Sequence, residues 1–492
     1  MLLLGIDIGT SSVKISVVDA QTQKCIASTH YPETEATILS PEPGWAEQSP
    51  NMWWEYTQQA ITKLNATKKY NPKDIGAIGI AYQMHGLVIV DKDQKVLRDS
   101  IIWCDSRAVE IGDKAFKAIG KSVALSSLLN SPGNFTASKL AWVKENEPFL
   151  YDKTYKLMLP GDFIAMKFTG EITTSVSSLS EGIFWDFQKD ELSDPVFNYF
   201  GFSKSMVPDI KPVFSEHGTV SYAVAEPLGL KAGIPVTYKA GDQPNNALSL
   251  NVFEPGEVAA TAGTSGVIYG VTDQVSYDPQ SRVNTFAHVN YANNKKRLGV
   301  LLCINGTGIM NRWIKSVAGQ HLTYEQMNEE AAKAKPGSRG LYVMPFGNGV
   351  ERMLENKLIG AHIHTIDLNT HGPHELFRAA QEGIAFSFRY GLDIMRDNGM
   401  SPKVIRASYA NMFLSDVFTE AFVNVTGVPV ELYEGDGSVG AAVGAGLGAG
   451  VYADQKDAFK NMKRLRVVEP SKNIDYEPHY EKWLGILKSH LD

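Results

Sequence analysis

Apolar and polar positions alternate in short blocks from the first residues of the chain. Leu3-Leu4-Gly5-Ile6-Asp7-Ile8 is apolar apart from Asp7. Gly9-Thr10-Ser11-Ser12 then interrupts it, and Val13, Ile15, Val17 and Val18 resume the apolar character. Two such runs around a short glycine-containing segment predict strand, tight turn, strand. The pattern returns much later in Val258-Ala259-Ala260-Thr261-Ala262-Gly263-Thr264-Ser265-Gly266-Val267-Ile268-Tyr269. Both copies carry Gly-Thr-Ser followed one residue later by Val. Two similar hairpins half a chain apart predict two related domains, 1–250 and 251–492. Pro255 and Gly256 mark the break just ahead of the second.

Between and after the hairpins, strands and helices alternate. Ile78–Ala81, Leu87–Val90 and Ile234–Tyr238 read as short strands, the last running into Ala240-Gly241-Asp242. Ala137–Glu145 has helical character. Leu298–Ile304 and Leu341–Phe346 are apolar strands. Leu376, Ala380, Ile384, Phe388, Leu392 and Met395 share one face of a long helix, which Asn398-Gly399 should stop. Alternation of this kind predicts α/β domains with helices covering mixed sheets.

Composition narrows the picture. The 492 residues are 43% hydrophobic and 21% charged, with a net charge of -7, the balance of an ordinary globular protein. A nucleic-acid partner held on a basic face is disfavoured, because phosphate binding needs clustered Lys and Arg. Cys25, Cys104 and Cys303 lie far apart. They have no metal-ligand spacing and are expected to be buried, reduced thiols. Met1–Leu4 lacks a basic segment and is too short for a signal peptide. The Gly/Ala-rich run Gly437–Gly450 falls short of the ~20 apolar residues that span a bilayer. The expected location is cytoplasmic, with no membrane partner.

Several segments carry candidate chemistry. The Gly9-Thr10-Ser11 turn can present backbone N–H groups to a phosphate, with Lys14 adding charge. Asp7, just before it, suits Mg²⁺, which takes one or two carboxylates and keeps its waters. The plainer alternative is a polar hairpin turn. Gly263-Thr264-Ser265-Gly266 repeats the feature, and two such turns on facing domains can clamp a polyphosphate. Asp242 follows a strand and a glycine, where α/β proteins bind ligands. It is either a base for a substrate hydroxyl or a turn aspartate. Gln83-Met84-His85-Gly86 and Trp103-Cys104-Asp105-Ser106-Arg107 offer hydrogen bonds and an aromatic face to a sugar, or alternatively a satisfied turn histidine and a core tryptophan. Asn305-Gly306-Thr307-Gly308, Gly347-Asn348-Gly349 and Gly435-Asp436-Gly437 suit a nucleotide. Gly440, Gly444 and Gly448 read as a bare helix face for close packing.

In order and spacing, these segments resemble the FGGY carbohydrate kinases, and most closely their xylulose-phosphorylating members, over nearly the whole chain. The resemblance implies two actin-like (ribonuclease H-like) ATPase domains around a central cleft, with the sugar and the base in the first and the nucleotide in the second. It implies ATP and Mg²⁺ as cofactors and a ketopentose, D-xylulose, as substrate, with a homodimer as the expected assembly. Carried over, Asp242 is the catalytic base. Met84, His85, Trp103, Asn134, Asp242 and Gln243 face the sugar. Thr10, Ser11, Lys14, Gly263, Thr264, Gly306, Ala407, Ser408 and Asn411 face ATP, and Asp7 faces the metal. Two departures stand out. Gln243 replaces the family's usual Asn after the base, and Arg406-Ala407-Ser408-Tyr409-Ala410 replaces a Gly-Gly-Ala run before Asn411. The alternatives are a kinase of this family for ribulose, another ketose or a polyol, and a non-catalytic actin-like ATP-binding module.

Overall fold

The alternation at the N-terminus produces the hairpin it predicts. In the computed structural model, which describes residues 1–491, Leu2–Ile8 pairs antiparallel with Val13–Asp19, from Leu2↔Asp19 to Ile8↔Val13. The second alternating segment forms Glu257–Ala262 and Gly266–Thr272, also antiparallel. Each hairpin nucleates one large sheet, and the two sheets repeat one plan. In the first, the order is Val236–Gly241, Ile75–Tyr82, Leu2–Ile8, Val13–Asp19, Cys25–Tyr31. The two strands on one side of Leu2–Ile8 are parallel to it; on the other side Val13–Asp19 is antiparallel to it, and Cys25–Tyr31 is antiparallel to Val13–Asp19. In the second, Val430–Tyr433, Val404–Ser408, Glu257–Ala262, Gly266–Thr272 and Leu298–Ile304 follow the same order and directions. Asn284–Ala287 and Arg464–Val468 extend its edges. The chain is therefore a two-domain α/β protein with an internally repeated topology.

Parallel strands buried on both faces need helices over them. The long helix Pro373–Asp397 supplies one for the second sheet. Its residues Ala380, Ile384, Phe388, Leu392 and Met395 are all buried in the core beneath it, and Leu376 packs against that core. Asn398 closes it, and Gly399 follows with φ 91°. The first sheet is covered by Pro50–Ala66, Pro160–Thr169 and, from far along the chain, Gly437–Gly448.

That glycine-rich helix explains its own composition. It crosses from the second half of the chain to pack on Leu2–Ile8, Ile75–Tyr82 and Val236–Gly241. A Cβ on Gly5 would lie 1.8 Å from the Ser438 carbonyl oxygen, and one on Gly79 2.0 Å from that of Ala441. On the helix side, a Cβ on Gly444 would strike the Tyr238 ring at 2.6 Å, and one on Gly448 the Thr237 carbonyl at 1.9 Å. Glycine on both surfaces brings two backbones into contact, as the close-packing reading expects. No helix among the described residues is long and apolar enough to cross a membrane.

One expectation fails. Cys25, Cys104 and Cys303 are free thiols, but all three are exposed rather than buried. Cys25 and Cys303 lie on strands, where alternation sends every other side chain outward whatever its polarity.

Candidate active site

The strand Val236–Gly241 ends at Gly241, and Asp242 is the first residue of the helix Asp242–Ser249. A carboxylate there meets the helix's free N–H groups, which favour its ionised form. Burial wins nevertheless. It pushes the Asp242 carboxyl up to about 7, and the Asp7 carboxylate pushes the same way, against hydrogen bonds from Gln243. Asp7 ends the first strand and is itself pushed up to about 6 by burial, with Lys14 opposing and Asp436 reinforcing. A Cβ on Gly437 would lie 2.4 Å from Asp7 Oδ2, so the N-terminus of the glycine-rich helix abuts Asp7. Asp436 caps that helix, accepting from the Ser438 and Val439 amides. Asn245, on the helix that starts at Asp242, donates to the Gly437 carbonyl at 2.9 Å.

The sequence thus brings three acidic side chains to one place. Asp7 and Asp242 repel each other's charge, which hard cations bound through oxygen and water relieve. Asp7, with Asp242 and Asp436 beside it, fits a Mg²⁺ carried with ATP. The second hairpin has Thr261 where the first has Asp7, so only one of the two turns supplies a carboxylate.

The loop Gln83–Gly86 lies against Asp242. Positive φ at His85 (65°) turns the chain sharply between two strands. The His85 Nδ1–H donates to the Glu181 carbonyl (3.1 Å), and the His85 amide donates to Glu181 Oε1 (3.3 Å). The His85 carbonyl accepts from Lys139 Nζ at 2.9 Å and Thr136 Oγ1 at 3.2 Å. Burial, with help from Lys139, holds the imidazole down to about 3, so it is neutral at physiological pH. With its Nδ1 proton given to a carbonyl, its Nε2 is an acceptor, suited to a hydroxyl. Its ring packs edge-on against Phe135 and tilted against Phe286. Phe286 comes from the second half of the chain, so the His85 loop makes contact across the boundary between the two halves. Ser180 Oγ accepts from the Ala287 amide, and the Ser177 hydroxyl donates to the Ala287 carbonyl, both at 2.9 Å.

Thr10 joins the first Gly-Thr-Ser turn to this loop. Its hydroxyl donates to Gln83 Oε1 (3.4 Å) and accepts from Trp103 Nε1 (3.0 Å). Gln48 reinforces the link by donating to the Thr10 carbonyl and accepting from Gln83 Nε2. Trp103 is 54% exposed, a free aromatic face rather than core. Asn134 donates to the Asp105 carbonyl, and its Oδ1 is buried without a partner among the described residues. Ser11 and Lys14 are exposed beside the turn.

On the opposing side, the Gly308 and Ile309 amides donate to the Gly263 and Thr264 carbonyls at 2.9 and 3.1 Å. The second Gly-Thr-Ser turn therefore rests on the start of the helix Gly308–Ala318. Asn411, with φ 54°, reaches the same turn: its Nδ2 would lie 3.6 Å from a Cβ on Gly263. Burial pushes the thiol of Cys303, on the strand Leu298–Ile304, up, and the Asp242 charge adds to it, so this strand end lies within electrostatic range of Asp242. Gly306 is boxed in, since a Cβ there would meet the Pro345 carbonyl at 1.8 Å. Its amide and that of Asn305 donate to Glu351. Ala407 lies inside the second sheet, paired with strands on both sides, so its backbone is committed to the ladder. Ser408 packs against Gly435. Beside the 306–308 loop, Ile309, Met310, Trp313, Pro345, Gly347 and His362 line a cavity of about 520 Å³.

Two residues at the site escaped the sequence reading. Glu181 ends the helix Val176–Glu181 in a run of serines that carries no chemical signal. Glu351, pushed up to about 7 by burial, braces a loop 45 residues away.

Residues 2–249 match the family model described as the N-terminal domain of the FGGY family of carbohydrate kinases, and residues 258–451 match that of its C-terminal domain. A xylulose kinase of Escherichia coli strain K12 is 27% identical over 442 residues, covering 90% of this chain and 88% of the relative. One of Staphylococcus epidermidis is 29% identical over 99% of this chain and 96% of its own. A crystal structure titled as a xyloylose kinase from Brucella ovis superposes with TM-score 0.88 at 25% identity, covering 99% of both chains.

Proposed function

The chain belongs to the FGGY family of carbohydrate kinases, a family of sugar phosphotransferases, and on that premise we propose that it transfers the γ-phosphoryl group of ATP to a primary hydroxyl of a ketopentose, D-xylulose O5. The carrying observation is Asp242, a carboxyl poised near 7 at the start of a helix, between Asp7 and the His85 loop. In this reading residues 1–250 hold the sugar and the base, and residues 251–492 hold the nucleotide. Met84, His85, Trp103, Asn134 and Gln243 surround the sugar. Thr10, Ser11, Lys14, Gly263, Thr264 and Asn411 surround the phosphates and adenosine. The Gly306 amide, already given to Glu351, shapes the nucleotide loop rather than binding phosphate. Ala407 supports the adenine side through the sheet.

Asp242 accepts the hydroxyl proton as the oxygen attacks the γ-phosphorus. The new O–P bond forms while the bond from that phosphorus to the bridging oxygen of ADP breaks. Neutral His85 accepts a hydrogen bond from another sugar hydroxyl and orients the open-chain sugar, the form in which O5 carries a free hydroxyl. Mg²⁺ held by Asp7 through water would neutralise phosphate charge. Positioning and charge stabilisation supply most of the rate enhancement in such transfers. The relatives named xylulose kinase support the choice of sugar.

A coupled assay of ADP release across D-xylulose, ribulose, other ketoses and polyols tests both levels. D-xylulose should give the highest kcat/KM. Another sugar ranking above it overturns the substrate, and sugar-independent ADP release overturns the reaction.

A further inference from the structure

Three histidines, two from the strand Gly360–His364 and one from the last helix, meet in the second half of the chain. His362 and His364 sit two apart on the strand Gly360–His364, so both project from one face. That face is the more covered one, with Ala361 and Ile363 exposed between and beside them. His490 lies in the last turn of the helix Glu477–Leu491. Trp483, Leu487 and His490 form a single helical stripe. Trp483 and Leu487 are buried, and Trp483 Nε1 donates to the Val343 carbonyl at 2.9 Å on the strand paired with Gly360–His364. The stripe docks the helix and delivers His490 onto the two strand histidines.

The three imidazoles are close. The His490 and His362 rings stack at 4.2 Å, and His490 Nε2 lies 3.0 Å from His364 Nε2. One ring nitrogen from each lies within 4.8 Å of the others. Ligand nitrogens ~2.0–2.1 Å from a tetrahedral ion stand a little over 3 Å apart, so small side-chain adjustments suffice. His362 Nε2–H donates to the Ile359 carbonyl at 2.6 Å. A backbone carbonyl taking one ring proton fixes the tautomer and orients the ring, as it does for metal-bound histidines. The carbonyl end of the helix also favours a cation, and Lys357 already donates to the Leu491 carbonyl there.

We propose that His362, His364 and His490 form a binding site for a divalent transition-metal ion of the imidazole-preferring class, Zn²⁺, Co²⁺ or Ni²⁺, that pins the C-terminal helix to the hairpin Tyr342–His364. Three nitrogen ligands leave a fourth position for water. Nitrogen donors select against Mg²⁺, so the site is independent of the metal carried with ATP.

The test uses the full chain without a histidine tag, stripped with a chelator and titrated with Co²⁺ or Zn²⁺ alone. One ion per chain is expected, with visible Co²⁺ absorption, no competition from millimolar Mg²⁺, and slower amide exchange in residues 477–491. His364→Ala and His490→Ala should each weaken uptake by about 10- to 100-fold, in line with losses at supporting positions of metal sites. Both histidines are half-buried, and circular dichroism with sugar-kinase activity checks that the variants fold. Absence of stoichiometric uptake overturns the proposal, as does uptake unchanged in His364→Ala and His490→Ala.

Discussion

Asp242 titrates in the field of Asp7. Burial and the Asp7 carboxylate together hold the Asp242 carboxyl near 7, against the hydrogen bonds of Gln243. A base must be ionised to work, so kcat/KM for the sugar should fall as pH drops through about 7. Asp7→Asn removes a like charge and should move this acid limb to lower pH, measured at Mg²⁺ high enough to offset the lost ligand. A limb that stays in place would show that Asp7 does not tune the base.

Asp242 also makes stability depend on pH. An unfolded aspartate titrates near 3.9, below the folded value of about 7. The contribution to stability is full below about 4 and is lost as pH rises to about 7. Asp242→Asn should therefore raise Tm by little at pH 4 and by progressively more up to pH 7, then by a constant amount. The same variant, or Asp242→Ala, should lose ~10²–10⁴ in turnover while ATP binding by calorimetry is retained. Turnover above about a tenth of wild type contradicts the role of base.

Glu181 positions His85: its Oε1 accepts from the His85 amide and its carbonyl from the His85 Nδ1–H. Burial, with Asp242 and Asp162 nearby, holds its carboxyl well above the usual range, so it is neutral, and its Oε2 has no partner among the described residues. Glu181→Gln keeps a neutral acceptor for the His85 amide. It should leave the acid limb in place and sugar KM within about threefold, a free-energy change below that of one lost hydrogen bond. Glu181→Ala strands that amide at a cost of about 1–3 kcal/mol and should raise sugar KM roughly tenfold with a smaller effect on kcat. Equal effects of the two variants would argue against a positioning role.

Gly79 and Gly485 should respond oppositely to alanine. At Gly79 the new Cβ meets the Ala441 carbonyl at 2.0 Å, and backbone cannot swing aside. Overpacking of this kind costs about 1–3 kcal/mol, so Tm should fall. At Gly485, inside the helix Glu477–Leu491, a Cβ meets nothing within 4 Å. Alanine there should stabilise by about 0.5–1 kcal/mol through helix propensity. Thermal unfolding of both variants reads the contrast.

Both hairpins, the strand leading to Asp242 and the long helix Pro373–Asp397 were legible because each is set by local periodicity. Leu298–Ile304 has the bounds its apolar run predicts. The repeated Gly-Thr-Ser turns announced a duplicated plan that the two sheets carry out strand for strand. Gly440, Gly444 and Gly448 signalled close packing, but not that Gly444 and Gly448 meet the first sheet and Gly440 the helix Asp242–Ser249, nearly two hundred residues earlier. Trp103 had two readings in sequence, and only the fold makes it an exposed ring hydrogen-bonded to Thr10. The cysteines were misplaced because composition says nothing of which way a strand residue faces.

By itself, the sequence determined both hairpins, several of the core strands and the long helix, and it placed Asp7, Asp242 and both turns at or next to strand ends. Periodicity and turn chemistry act between near neighbours and need no knowledge of the rest of the chain. Only the tertiary structure decided that Asp242 is held near neutrality, that Glu181 grips His85, and that His490 meets two histidines more than a hundred residues away. Desolvation and charge coupling depend on what packs within a few ångströms in space, and those neighbours come from both halves of the chain.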